Sequence, residues 1–335
     1  MRQQEIRYRC DYQKEWQQLI PSLRKYELEP VKFLSIPGDA PKDFITDSEY
    51  RPGYRSRRQR RESYIAKVGS KFYPNESITE HLSTRIGQTF GLNIADSKLR
   101  MIDGQVRFMS KYFLDRQSEQ LTHGAEVFEL CLGKENYKEL ADKKSEKDFF
   151  TFQMTAEAIK TAFPESHEKI MAGFVEMLAF DALIGHNDRH PYNWGVIVPI
   201  RAKSKPPRFS PVFDTARALF WNNPERRINQ MLNNPAQLEA YLKACAPPVG
   251  WDGEEGVAFF PLMSLISKSS TRYSRLIQKF LDQTALENTF RLLEKEFKLL
   301  MSPERRELIK KCLKLRQEML KDECQIADEM KGGTE

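Results

Sequence analysis

Two short segments constrain this chain more than any other feature. They are His186-Asn187-Asp188-Arg189-His190-Pro191-Tyr192-Asn193 and, after an apolar run and a turn, Ser210-Pro211-Val212-Phe213-Asp214. Met171 to Ile184, just ahead of them, is apolar except for Glu176 and Asp181, and reads as a buried helix delivering the chain into a polar loop. Trp194 to Val198 reads as a strand leaving that loop. Arg208 to Phe213 reads as its return partner, after a basic, proline-containing turn at 201–207. Paired as a hairpin, the two strands set Asn193, at the start of one, beside Asp214, at the end of the other. An amide and a carboxylate so placed offer hard oxygen ligands suited to Mg²⁺. Asp188, five residues before Asn193, is then positioned to orient an acceptor hydroxyl, and the set matches what phosphoryl transfer requires.

The plain alternative is a solvated turn, in which Asp188 and Arg189 are an ordinary surface pair; the further spacing to Asn193 and Asp214 argues against it. Nor do His186 and His190 suggest zinc, because the chain has only five histidines and no cysteine nearby. His190 is expected to brace the loop through a ring nitrogen.

A phosphate cleft needs a second wall. Glu62-Ser63-Tyr64-Ile65-Ala66-Lys67-Val68 alternates as a strand and presents Lys67 near its end. Ile78, Leu82, Ile86 and Phe90 recur at four-residue spacing, so Glu76 to Phe90 reads as a helix. Glu80 on that helix is the expected ion-pair partner of Lys67, fixing it for phosphate contact. Glu76 competes for that role; its other reading is a first-turn acid favoured by the helix dipole, with Asn75 as a cap.

These residues resemble the HipA-like serine/threonine kinases, whose catalytic fold is related to that of phosphatidylinositol kinases. The resemblance is carried by Tyr64 to Lys67, Thr79 to Gly87 with Phe90-Gly91-Leu92, Arg107 to Tyr112, Asn187 to Asn193 and Ser210 to Asp214, and it spans about residues 50 to 300. It implies an α+β, bilobal protein-kinase-like fold, with a small β-rich lobe at 1–115 and a mainly helical lobe at 116–335. It also implies ATP and Mg²⁺ as cofactors, Asp188 as the catalytic aspartate, Asn193 and Asp214 as magnesium ligands, and Lys67 as the phosphate-binding lysine. Adenine would dock on backbone groups around Met109, Ser110 and Lys111. The chain resembles the compact form of the group, without the extra N-terminal subdomain of the larger toxin kinases.

The phosphate loop is expected just before the Lys67 strand. No Gly-x-Gly-x-x-Gly is present there; the segment instead carries six arginines between Arg51 and Arg61. Clustered charge with Gly53 and Pro52 reads as an exposed basic loop, able to meet phosphates, nucleic acid or an acidic protein. In members of the resembled group a serine of this loop is autophosphorylated and the loop is expelled. Ser56 is the positional counterpart, and Ser63 the rival.

At 335 residues and 40% hydrophobic content the chain can bury two lobes. No apolar run is long enough to span a membrane, and the start lacks a signal-peptide core, so cytoplasmic synthesis is expected, with export by a specialised route left open. Five dispersed cysteines are expected as thiols. The first region should hold a polar helix at 13–25, a strand at 31–36 and a hairpin joining 98–101 to 105–112. Helices are expected at 147–162, 168–184, 234–243, 257–268, 271–297 and 303–323, the last with an apolar stripe of Leu308, Cys312, Leu315 and Met319. That stripe serves either core packing or a weak dimer, so a monomer or weak dimer is expected.

A net charge of +6 suits an acidic protein acceptor. The leading expectation is an ATP- and Mg²⁺-dependent kinase acting on a protein Ser/Thr hydroxyl and on itself. The alternatives are a lipid or small-molecule kinase using the same residues, or a non-catalytic nucleotide-binding module.

Overall fold

The computed structural model describes residues 16–23, 29–30, 42–48, 61–69, 75–102, 104–141, 150–201 and 205–324. After a single helical turn, α1 (Trp16–Leu19), the first region is an antiparallel sheet. It is built from β1 (Glu29–Pro30), β2 (Lys42–Ser48), β3 (Arg61–Val68), β4 (Ser97–Ile102) and β5 (Gln105–Lys111), in the order β1-β2-β3-β5-β4. Side chains on a strand alternate between faces. Tyr64 and Ala66 therefore bury on one face of β3 with Ile45, Ile102 and Met109, while Lys67 lies opposite Phe108 of β5 on the other. Helix α2 (Asn75–Thr89) packs on β4 and β5 through Ile78, Leu82 and Ile86, all fully buried, so its four-residue periodicity is the core stripe.

A second sheet, order β6-β7-β8, is formed by β6 (Glu119–His123), β7 (Gly195–Pro199) and β8 (Arg208–Phe209). The expected hairpin is present, with Val196 opposite Phe209 and Ile197 opposite Arg208. Its second strand is shorter than the expected 208–213. Pro211 has no N–H to give a ladder, and Val212 leaves the hairpin to bridge Ile94 instead. The Val212 N–H donates to the Asn93 carbonyl at 2.8 Å, and the Ala95 N–H donates to the Val212 carbonyl at 3.1 Å.

The remainder is helical: α3 (Gly124–Leu132), α4 (Lys134–Ala141), α5 (Phe152–Ala162), α6 (His167–Ile184), α7 (Glu225–Asn233), α8 (Pro235–Ala244), α9 (Phe259–Ser269), α10 (Thr271–Gln278), α11 (Gln283–Glu296) and α12 (Pro303–Cys324). α6 is the central one, buried from Phe174 to Ile184 except at Glu176. At Gly173 it lies so close to β8 that an added Cβ would come within 2.6 Å of Phe209, which only glycine permits. The sequence periodicity located α6, α8, α9 and α12 to within two residues at each end. It ran one helix through 271–297 where there are two. Asp282 adopts an extended conformation and its carboxylate accepts from the Thr284 and Ala285 N–H groups at 2.7 and 3.2 Å, so an N-cap interrupts an unbroken apolar stripe.

Helices α3, α4 and α7 were not anticipated, and within the expected 13–25 helix only α1 is helical among the described residues. The strand expected at 31–36 lies outside the described residues. Leu308 and Cys312 of the α12 stripe are core residues, with Leu315 and Met319 packed against them. Cys131, Cys245, Cys312 and Cys324 are free thiols. No helix among the described residues is long and apolar enough to cross a membrane.

Candidate active site

Gly185 ends α6 with φ +68°, a left-handed stop that turns the chain out of the core into the His186–Asn193 loop. Beneath that loop lies Arg189, 1% exposed. Its Nε and Nη2 donate to the two carboxylate oxygens of Asp181 at 2.8 and 2.9 Å. Its Nη1 donates to the carbonyls of Asn193 and Phe213 at 2.7 and 2.6 Å. One guanidinium thus fastens the end of α6, the loop and the residue before Asp214 to a single point. Burial pushes the Asp181 carboxyl up and Arg189 opposes that push, the arrangement of a buried pair whose partners satisfy each other. His186, 3.6 Å from Asp181, is held neutral by burial and by Arg189.

The loop also carries Asp188, His190 and Asn193. The Asn193 Nδ2 donates to the Asp188 carbonyl at 2.7 Å, which fixes the amide and leaves its oxygen as the outward acceptor. The Tyr192 N–H donates to the His190 Nδ1 at 3.3 Å, so the brace expected of His190 is a cap on the turn Pro191–Asn193. Asp188 is about one-third exposed, and its Oδ2 lies 3.3 Å from the Arg217 Nη1. Partial burial pushes its carboxyl above the usual range, and Asp214 adds to this, while Arg217 and His190 oppose it.

On the facing wall the Lys67 Nζ lies 2.7 Å from Glu80 Oε1 and 3.0 Å from Asp214 Oδ1. Burial opposes the charge on Lys67, and the two carboxylates outweigh it, so the lysine stays protonated. Glu80 is pushed up to about 7 by burial, with Asp214 and Glu76 adding to the push against Lys67. Glu76 therefore acts on the site at a distance, while Glu80 makes the ion pair. Asp214 itself has φ +56°, a left-handed conformation that is uncommon for a non-glycine residue and clusters at functional sites.

The structure thus gathers Lys67, Glu80 and Asp214 into one cluster and Asp188 with Asn193 into a second, joined through Arg189. Met109, Ser110 and Lys111 lie on β5. Met109 and Ser110 are interior to the sheet, paired with Ala66 and Ile65 on one side and with Lys98 and Ser97 on the other. The Lys111 N–H is taken by the Asp96 carbonyl at 2.7 Å and that of Tyr112 by Ser63 at 2.8 Å. The Lys111 side chain pairs with Glu62 at 2.7 Å. Strand pairing thus uses the N–H groups of 109–111, and the chain leaves the ladder at Phe113-Leu114. Ser56 and the rest of 51–60 lie outside the described residues.

Two residues that organise the site are not marked by the spacing of the motifs. Asp181 reads as an interruption of an apolar helix, and Arg189 only as one position of the loop motif. The available signal was an acid in the middle of an otherwise unbroken apolar run, a position that burial forbids unless a cation follows it in.

The donor set fits a magnesium nucleotide. Asn193 and Asp214 supply oxygens, and Lys67 supplies a charge that Asp214 shares. Among the described residues no group of three or more His, Cys, Asp or Glu side chains forms a metal cluster; Mg²⁺ characteristically takes its remaining ligands from phosphate and water.

Comparison with known proteins gives a consistent result. The family model for the HipA-like C-terminal domain matches residues 34–292. Among solved structures, the Helicobacter pylori proinflammatory kinase CtkA superposes with a TM-score of 0.72 at 18% identity, over 91% of this chain and 96% of that one. HipA of the Shewanella oneidensis MR-1 toxin–antitoxin system, solved with HipB and operator DNA, gives 0.50 at 12% identity, over 90% of this chain and 70% of that one. At such identities the likeness is one of fold. No curated protein sequence matches the chain.

Proposed function

The chain belongs to the HipA-like C-terminal domain family and has its bilobal α+β kinase-like fold, and we infer that it is an ATP- and Mg²⁺-dependent serine/threonine protein kinase. The observation that carries this reading is the shared position of Asp214, 3.0 Å from Lys67 and one residue beyond the Phe213 carbonyl that Arg189 holds together with Asn193. Phosphate-side cation, metal-side carboxylate and catalytic loop are thereby fixed relative to one another.

In this reading Lys67, held by Glu80, meets the nucleotide phosphates. Asn193 and Asp214 would hold Mg²⁺, which would supply charge neutralisation at the nucleotide phosphates. Asp188, its carboxyl raised by partial burial, accepts a hydrogen bond from the acceptor hydroxyl and takes its proton as that oxygen bonds to the γ-phosphorus and the bond from phosphorus to the β,γ-bridging oxygen breaks, ADP leaving. Adenine would meet backbone groups at the end of β5, around Met109, Ser110 and Lys111, and in the segment that follows it. The nucleotide-binding lobe is taken as 1–115 and the helical catalytic lobe as 116–335. Autophosphorylation within the basic loop, at Ser56, belongs to the same reading.

The test is incubation of purified protein with labelled Mg-ATP alongside protein, inositol-lipid and aminoglycoside acceptors, with Asp188→Ala as the control. Label on protein Ser/Thr that disappears in Asp188→Ala supports the assignment. Label confined to lipid or aminoglycoside moves it to the alternative class, and no Asp188-dependent label on any acceptor removes it. Site-resolved mass spectrometry of the same reaction decides Ser56.

A further inference from the structure

Behind α2, on the side away from Lys67, lies a cavity of about 460 Å³. It is walled by residues 19–21 after α1, by α2, by the edge strand β4 and by the end of α11 with the turn that follows it. Arg85 and Lys295 stand here against Glu296, whereas Lys98 and Arg100 share the strand face of Ile102 and Met109, Lys98 with its Nζ 3.9 Å from the centre of the Tyr64 ring. The rim is apolar, with Leu19 39% and Leu299 63% exposed.

Across this cavity Arg85 of α2 meets Glu296 of α11 as a two-point pair. Its Nε donates to Glu296 Oε2 at 2.9 Å and its Nη2 to Oε1 at 2.8 Å. This is how guanidinium holds carboxylate or phosphate. Both partners are about one-third exposed, where such a pair contributes little to stability and can be exchanged.

We propose that the cavity is a second, non-catalytic site for a phosphoserine- or phosphothreonine-bearing protein segment, with Glu296 standing in for the phosphate on Arg85. The proposal rests on the kinase reading, since the ligand is then the enzyme's own class of product. An incoming carboxylate would gain nothing over Glu296, which matches it in charge and is already tethered. A phosphate brings close to two charges and a third acceptor oxygen, enough to keep Arg85 and also reach Lys295. Leu19 and Leu299 offer apolar contacts to residues flanking the phosphate, which inorganic phosphate lacks. Because His81 and Arg85 of the cavity wall follow Glu80 on the same helix, the site lies on the back of the element that positions Lys67.

The test uses full-length Asp188→Ala protein without ATP, so that loss of transferase activity and loss of this site are read separately. Fluorescence anisotropy compares a labelled Ala-Leu-pSer-Leu-Ala peptide with its Ser and Glu counterparts. The phosphopeptide should bind at least about tenfold more tightly than either. Arg85→Ala should weaken it about tenfold or more, whereas Glu296→Ala should tighten it, because the internal competitor is gone. Leu299→Ala should weaken the peptide while leaving competition by inorganic phosphate unchanged. Equal binding of the three peptides overturns the proposal. So does a shift of Arg85→Ala and Glu296→Ala in the same direction, in protein whose thermal midpoint is unchanged, since that is the behaviour of a purely structural pair.

Discussion

Two cation–carboxylate assemblies stand on either side of Asp214, and they differ in everything but their chemical type. Under the loop, Arg189 and Asp181 are sealed from water, and the remaining guanidinium donors are used by two carbonyls. On the facing wall, Lys67 is 12% exposed, divided between Glu80 and an Asp214 that is 27% exposed. A fully satisfied buried pair has nowhere to go, because each partner removed leaves a buried charge. A lysine shared by two acids, one of them open to solvent, can trade a partner. The first is a fixture of the fold; the second is open to exchange.

The comparison breaks most directly at Arg189. Arg189→Met should destabilise the protein by about 3–5 kcal/mol, the scale for leaving a buried charge unpaired. Urea unfolding measures this, and a loss under about 1 kcal/mol would put Arg189 in the exchangeable class. Replacing Asp181 by Leu as well should recover much of the stability while activity stays low, since the two carbonyls remain untethered.

Lys67→Met should do the reverse. Transfer activity and ATP affinity should both fall, activity by about 100-fold or more, comparable with removal of Asp188. The unfolding free energy should move by no more than about 1–2 kcal/mol, because Glu80, already near 7, takes up a proton when its lysine goes. Glu80→Ala should act through the lysine, so a Lys67/Glu80 double-mutant cycle should be non-additive; full additivity in folded protein would separate the two residues functionally.

A smaller effect tests whether the wall does exchange partners. With a non-hydrolysable ATP analogue present, Mg²⁺ should raise the thermal midpoint of the wild type by several degrees and that of Asp214→Asn far less. Equal shifts would take Asp214 out of the metal shell.

The smallest concerns His81, one residue beyond Glu80. Burial, with Arg85 adding, lowers its pKa to about 4. The unfolded chain then binds a proton that the folded one refuses, so stability should fall as pH drops from about 6.5 towards 4. His81→Gln should flatten that slope by about 1–2 kcal/mol, a figure discounted for the ring's partial exposure. An unchanged slope would mean that α2 accepts charge on this face.

The two assemblies were not equally legible. Lys67, Glu80, Asp188, Asn193 and Asp214 stand at spacings that encode their elements directly: a strand, a helix and a loop between two strands. Asp181 and Arg189 meet only because α6 ends at Gly185 and folds the loop back under itself, which no periodicity records. Likewise the long stripe of 271–297 conceals the Asp282 cap, since a side-chain bond to two amides leaves the apolar spacing intact.

The bridge between Val212 and the Asn93–Ala95 segment bears on how such a molecule can move. Two backbone bonds there join the run before β4 to the residue two positions ahead of Asp214. Swinging the first sheet away from the helices must either snap those two bonds or pull against the Phe213 carbonyl that Arg189 fastens to the end of α6 and the loop. Asp214 is thus pinned from both sides, and the two walls of the cleft have no slack at the residue through which they meet.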